Sequence, residues 1–205
     1  MEVQNVKVYG IEDRFRARKF PMLSNIDNAT TDYTERIKSL GTCKHGTGHD
    51  NFLNGIITQF DLTLSNKCWV EMQRYHFIDF VSSQSTMHRI TSFDLNTSYN
   101  EFVDQRIVDI MAEKVSQYNE LKKQLAEDDS LSDELERRYL EILYSNPAGF
   151  QLTARMTTNY RQLKTIYLQR KHHRLPEWKE FCKFIETLPY SELITGSVNN
   201  GKQDK

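Results

Sequence analysis

Phe150-Gln151-Leu152-Thr153-Ala154-Arg155-Met156-Thr157-Thr158-Asn159-Tyr160-Arg161-Gln162-Leu163-Lys164-Thr165-Ile166-Tyr167-Leu168-Gln169-Arg170 changes period halfway along. From Phe150 to Met156 the residues alternate. Phe150, Leu152, Ala154 and Met156 face one way and Gln151, Thr153 and Arg155 the other, which predicts a half-buried strand. After Thr158 or Asn159, either of which suits a helix N-cap, Leu163, Ile166 and Tyr167 recur at helical spacing. A strand running straight into an amphipathic helix requires a sheet with helices packed on it.

The same reading extends outward in both directions. Ile56, Phe60, Leu62 and Leu64 alternate with Gln59, Asp61 and Thr63, a second half-buried strand. Ser65 is placed to cap a helix bearing Cys68, Trp69, Met72 and Tyr75. A short first strand carries Val3, Val6, Val8 and Tyr9 and ends at Gly10. Thr31 is expected to cap a helix with Tyr33, Ile37 and Leu40, stopped by Gly41. Glu101 to Leu125 reads as a long amphipathic helix with Val103, Ile107, Ile110, Tyr118, Leu121 and Leu125 inward. The acidic turn Glu127-Asp128-Asp129-Ser130 ends it. Ser132 starts another helix, with Leu135, Leu140 and Leu143, closed before Pro147. After Leu175-Pro176 a final helix carries Trp178, Phe181, Phe184 and Ile185, with Pro176 and Glu177 suited to its first turn and Pro189 as its stop. The fold class is α+β: one domain over residues 1–196, long helices on a small, mostly antiparallel sheet. A polar tail over 197–205 is expected to be disordered.

Composition narrows the function. The 205 residues are 38% apolar and 27% charged, enough for one core but with little to spare. The net charge of −1 supplies no global field for nucleic acid or anionic membrane. No run approaches the ~20 apolar residues of a transmembrane helix. Met1-Glu2-Val3-Gln4 does not open a signal peptide. Cys43, Cys68 and Cys182 have no CxxC spacing, as expected of a reducing, cytoplasmic setting. Glycine is scarce and no phosphate-binding glycine loop is present, which removes the Rossmann and P-loop readings.

Several groups invite chemistry. Asn159, Leu163, Ile166 and Arg170 fall along one helical face. An arginine ending an apolar stripe either snorkels into a salt bridge or grips a planar anion. Cys43, His45, His49 and Asp50 lie close together, but Gly46 and Gly48 break a helical His pair, so the segment reads as a polar, ligand-lining loop and no metal is expected. His172-His173-Arg174 reads as a solvated basic turn. Arg14, Arg16, Arg18 and Lys19, interleaved with Phe15 and Phe20, form a basic segment whose alternative reading is nucleic-acid backbone binding. The serines at 82–85 lack the partners of a hydrolase nucleophile.

The order Asn159-x-Arg161-x-Leu163, then Leu168-x-Arg170, resembles the C-terminal signature of the flavin-dependent thymidylate synthases. Pro147 and, one residue shifted, Trp178 stand where that family has a proline and a tryptophan. The resemblance continues more faintly upstream. Phe52-Leu53-Asn54 stands at the family's Phe-Glu-His, Tyr75-His76-Phe77 at its Arg-His-Arg, and Ser85 and Arg89-Ile90 at the serine and closing Arg-Tyr of a ligand loop. Leu143 replaces a phosphate-binding arginine. Spanning Phe52 to Trp178, the resemblance implies a homotetramer that binds FAD and methylates dUMP to dTMP with methylenetetrahydrofolate and NADPH. It implies Arg170 as the catalytic residue gripping the uracil ring, Gln73, Ser85 and Arg89 as further substrate contacts, and His76, Asn159 and Arg161 as flavin contacts. Each missing arginine removes a charge-assisted contact of about 1.5–3 kcal/mol. Arg74 and the Arg14–Lys19 cluster are candidate replacements. The alternative is an inactive homologue kept as a nucleotide-binding or assembly module.

Overall fold

The computed structural model describes residues 1–44, 46–125 and 129–196. In chain order the elements are β1 (Glu2–Tyr9), α1 (Ile11–Ala17), α2 (Glu35–Gly41), β2 (Ile57–Ser65), α3 (Asn66–Met72), β3 (Asp79–Ser83), α4 (Thr86–Arg89), α5 (Gln105–Gln124), α6 (Ser132–Ser145), β4 (Gln151–Asn159), α7 (Tyr160–Arg170), α8 (Pro176–Glu186) and α9 (Glu192–Thr195). The strands form one sheet in the order β1-β2-β4-β3. The register of β2 on β4 is antiparallel: Thr63 bonds Thr153 side chain to side chain at 2.7 Å, and Asp61 pairs with Arg155 at 3.1 Å. The expected α+β class, with helices on a small antiparallel sheet, is what the chain forms.

The chain divides into two units. One comprises Met1–Leu62, Glu71–Ser82 and residues from Arg155 onward; the other comprises Thr63–Val70 and Ser83–Ala154. In the first, Phe60, Leu62, Met156, Leu163, Ile166, Trp178, Phe181 and Ile185 are fully buried, the inward faces of β2, β4, α7 and α8. Cys182 shares this core, and burial pushes its thiol up to about 11. Gly10, in the left-handed region at φ 79°, turns β1 directly into α1. Helix α2 is capped by Thr34, whose Oγ1 accepts from Ile37 N at 3.3 Å, not by Thr31; Tyr33 therefore lies before the helix.

The deepest feature of this unit is a lysine. Lys164 of α7 is wholly buried, and its ammonium donates to Gly41 O at 2.8 Å, Cys43 O at 2.8 Å and Asp50 Oδ2 at 3.0 Å. Three N–H groups meet three acceptors, the condition under which a buried ammonium is tolerated. Asp50, expected in a ligand-lining loop, is instead a core anion with no exposed surface.

In the second unit Met111, Val115, Tyr118, Ile142, Phe150, Ile90 and Leu95 form the core. Phe93 and Tyr99 meet the Phe150 ring edge-on, at 5.2 and 5.3 Å. Helix α5 starts at Gln105, capped by Asp104, and buries Val108, Met111, Val115 and Tyr118. The expected inward stripe was displaced by about one position: Ile107 and Ile110 are 41% and 51% exposed. In α6, Leu135 and Leu143 pack against the core as expected, while Leu140 faces outward. The acidic-turn residues 127 and 128, like the tail 197–205, lie outside the described residues.

Two substitutions test these cores. Lys164→Met strands the Asp50 carboxylate and should cost about 3–5 kcal/mol in urea unfolding; a loss under ~1 kcal/mol would contradict a satisfied buried pair. Phe150→Ala should cost about 3–5 kcal/mol by the same measurement, and a near-neutral result would contradict its central place.

Candidate functional site

Helix α7 and its N-cap carry three of the seven candidate residues, and β4 delivers the chain into the helix without a loop. Tyr160 N donates to Ile56 O at 3.0 Å, and Asn159 Oδ1 accepts from Gln162 N at 2.9 Å. Asn159 is thus the N-cap, one of the two caps expected. Leu163 and Ile166 hold the helix to the core. Arg161 is 30% exposed, with its Nε 3.4 Å from Asp50 Oδ1. Neither atom has a hydrogen-bond partner, although both are buried. Asp50 therefore stands between Lys164 and Arg161, and the guanidinium keeps its terminal nitrogens for other use.

At the far end of α7, Arg170 is held on every side. Its side chain is 13% exposed. Nη1 donates to Glu71 Oε2 at 3.2 Å and Nε to Tyr75 Oη at 2.6 Å. The guanidinium carbon lies 4.7 Å from the centre of the Trp178 ring and 5.4 Å from that of Tyr75. The Tyr75 hydroxyl in turn donates a hydrogen bond to Gln169 Oε1 at 2.9 Å. Glu71 Oε2 also accepts from Trp178 Nε1 at 3.3 Å and lies 3.3 Å from His173 Nε2. Since His173 Nδ1 accepts from Leu175 N at 3.2 Å, Nε2 carries the proton that faces Glu71. His173 is thus tucked beside Trp178, not a member of a solvated turn; His172 and Arg174 remain exposed. Glu71 is the residue that sequence reasoning missed. It follows Trp69 on a helix whose other members explained the period, and nothing one-dimensional marks it as the acceptor for Arg170 and Trp178.

The segment after α3 presents Gln73 and His76 to solvent. Phe77, 70% exposed, holds φ at 64°, a left-handed conformation that costs a non-glycine residue about 1–3 kcal/mol. Thr158 Oγ1 fixes it by donating to Phe77 O at 2.8 Å. Strand β3, which follows, was not foreseen; all five of its residues are exposed, so no apolar alternation marks it.

Ser85 and Arg89 belong to the second unit. Ser85 occupies the N-cap position of α4 without a side-chain capping bond, and Arg89 N donates to Ser85 O at 3.1 Å. Buried Ile90 anchors the turn, and Tyr139 Oη donates to Met87 O at 2.8 Å. The candidate residues therefore fall into three sets: Asn159, Arg161 and Arg170 on α7, Gln73 and His76 beside Tyr75, and Ser85 with Arg89 on α4. Among the described residues no cluster of three or more His, Cys, Asp or Glu is arranged to hold a metal ion. Cys43 Sγ instead meets Thr47 Oγ1 at 3.1 Å; His45 lies outside the described residues. No described helix is long and apolar enough to cross a membrane.

No protein-family model matches the sequence, and no curated protein matches it. Solved structures do. The Helicobacter pylori flavin-dependent thymidylate synthase ThyX, complexed with FAD and dUMP, superposes with a TM-score of 0.67 at 16% identity, over 96% of this chain and 99% of that one. A second structure of the Helicobacter pylori enzyme with FAD and dUMP gives 0.68 at 15% identity, over 98% and 100%. At that identity the likeness speaks for architecture, and over almost its whole length this chain has the fold of a flavin-dependent thymidylate synthase.

Proposed function

We propose that this chain is a diverged flavin-dependent thymidylate synthase that binds FAD and a uracil nucleotide of the dUMP type. The observation that carries the reading is the seating of Arg170, the arginine that the sequence resemblance assigns to the uracil ring, which is immobilised between two rings and one carboxylate. Such buttressing is what a site needs to aim a planar donor at a ring. Its Nη2, unbonded among the described residues, is the donor left for a pyrimidine carbonyl.

The residues fit a flavin in part. Arg161 has its terminal nitrogens unbonded among the described residues, and Asn159 retains its amide N–H groups after capping α7 with Oδ1. The strained Phe77 beside His76 is the kind of backbone outlier that gathers at ligand sites. Against this, Tyr75 and Phe77 occupy two positions where the family has arginines. His76, Asn159 and Arg161 are assigned to the flavin, Gln73, Ser85 and Arg89 to the nucleotide. When bound, FAD supplies hydride chemistry, with NADPH and methylenetetrahydrofolate as co-substrates. The protein's part is to orient the uracil through Arg170 and to stabilise charge on it. Exposed Phe80 and Val81 on the sheet edge support assembly into a homo-oligomer.

A second reading has its own support. Glu71 already accepts from Arg170, as a ligand would, which suits a catalytically inactive nucleotide-binding or assembly module.

Titrating the purified protein with FAD should quench flavin fluorescence saturably. Arg161→Gln should weaken that binding roughly tenfold to a hundredfold. No saturation in the unsubstituted protein overturns the proposal. Glu71→Gln separates the two readings. If Glu71 positions Arg170, dUMP affinity falls about tenfold with little change in melting temperature. Tighter dUMP binding would instead make Glu71 a competitor for the arginine.

A further inference from the structure

Four cations lie close together at the end of α1 and just beyond it, and two of them are engaged by the segment over 26–32. Arg16 Nη2 donates to Ile26 O at 3.3 Å with its guanidinium 5.4 Å from the Phe20 ring centre. Lys19 donates to Thr30 Oγ1 and sits 3.9 Å from Asp32. Arg14 and Arg18 remain. Spaced four apart, they lie on the same face of the helix and line one cavity of about 400 Å³ together with Asn51, Phe52, Asn54 and Gly55.

Three features set this cavity apart from a solvated basic patch. First, Arg14 is seated: its Nε donates to Gly55 O at 3.3 Å, and a Cβ on Gly55 would collide with the Arg14 Nε and Cδ. The absence of a side chain at Gly55 thus leaves room for the end of the Arg14 side chain. Second, no carboxylate lines the cavity. The acids of the same helix, Glu12 and Asp13, line a separate hollow, and among the described residues neither Arg14 nor Arg18 has an ion pair. Like charges at this spacing oppose helix formation by a few tenths of a kcal/mol, a repulsion that an anion between them would reverse. Third, the remaining polar groups are two carboxamides, which supply N–H donors without adding negative charge.

We infer that this cavity is a binding site for a phosphate-bearing small molecule, with Arg14 and Arg18 as paired guanidinium donors and Asn51 and Asn54 completing the ring of donors. Planar forks of this kind match the oxygens of a phosphate or pyrophosphate group. The volume lies in the range of small-molecule sites, roughly 300–1,000 Å³. Arg18 also lines a neighbouring apolar cavity of about 230 Å³ with Met22, Leu23, Ile37 and Leu40, so the ligand's uncharged part has a place to go. The site does not depend on Arg170, Asn159 or Arg89.

The test is calorimetric titration of the full chain with inorganic pyrophosphate and, in parallel, with a nucleoside diphosphate. Saturable binding is expected, and Arg14→Gln with Arg18→Gln should weaken it about tenfold or more while leaving the melting temperature unchanged. Gly55→Ala, which removes no charge but unseats Arg14, should also weaken it. Tighter binding of the nucleotide than of pyrophosphate would mean that the uncharged part is read as well. The inference is overturned if neither anion saturates, if binding survives in the double variant, if it is lost instead in Arg89→Ala, which would place the anion with the proposed substrate contacts, or if only a single-stranded oligonucleotide binds.

Discussion

A buried ammonium sets the frame around which the first unit is organised. Lys164 reaches from the middle of α7 to the end of α2 and to the segment beyond it, and joins them through two carbonyls and one carboxylate. Desolvating an ammonium and a carboxylate costs several kcal/mol each, and only full hydrogen bonding makes the pair tolerable. The arrangement therefore demands one registry: if α7 slid or rotated by a residue, the ammonium would face apolar side chains. The same interaction fixes Asp50 in front of Arg161 and aims the outer face of α7. Nearly two turns further on, the helix is pinned again by Arg170 against Glu71 and Trp178.

Two charged networks on one helix give α7 an uneven character. Its core-facing residues, Leu163 and Ile166, are ordinary. Unlike buried Lys164, three of its polar residues are engaged on one side and open on the other: Asn159 caps with its oxygen, Arg161 faces Asp50 through Nε, Arg170 meets Tyr75 and Glu71 through Nε and Nη1. A side chain fixed by part of its donors and free in the rest loses little entropy when a ligand arrives. That is the physical case for a site on this helix. Tyr75 retains a polar part in the network by accepting from Arg170, whereas Phe77 contributes only its carbonyl.

Much of the architecture was legible in one dimension. Strands β2 and β4 have one wet and one dry face, so alternation revealed them, and α8 was marked by its dense apolar face behind Pro176. The failures are instructive. In α5 two apolar series run one position apart, through Ile107 and Ile110 and through Val108, Met111 and Val115; helical period alone does not choose between them, and packing against Ile142 and Phe150 does. Strand β3 is exposed on both faces and lacks a periodic signal. Lys164 was invisible because two of its three acceptors are backbone carbonyls, which every residue possesses. Glu71 and the tucked His173 were missed for a related reason: their meaning arises from residues distant in the chain. The α7 candidates came from the resemblance and from helical spacing together, and the helix does bear them.

Flavin binding by this fold is the central proposal. Its most direct test is mass spectrometry of small molecules released on denaturing the purified chain after incubation with excess FAD and dUMP and exhaustive washing. Retention of FAD near one equivalent per chain, with dUMP enriched alongside it, is the predicted result. A chain that stays colourless and releases neither would contradict it and leave only the architecture in common with the thymidylate synthases.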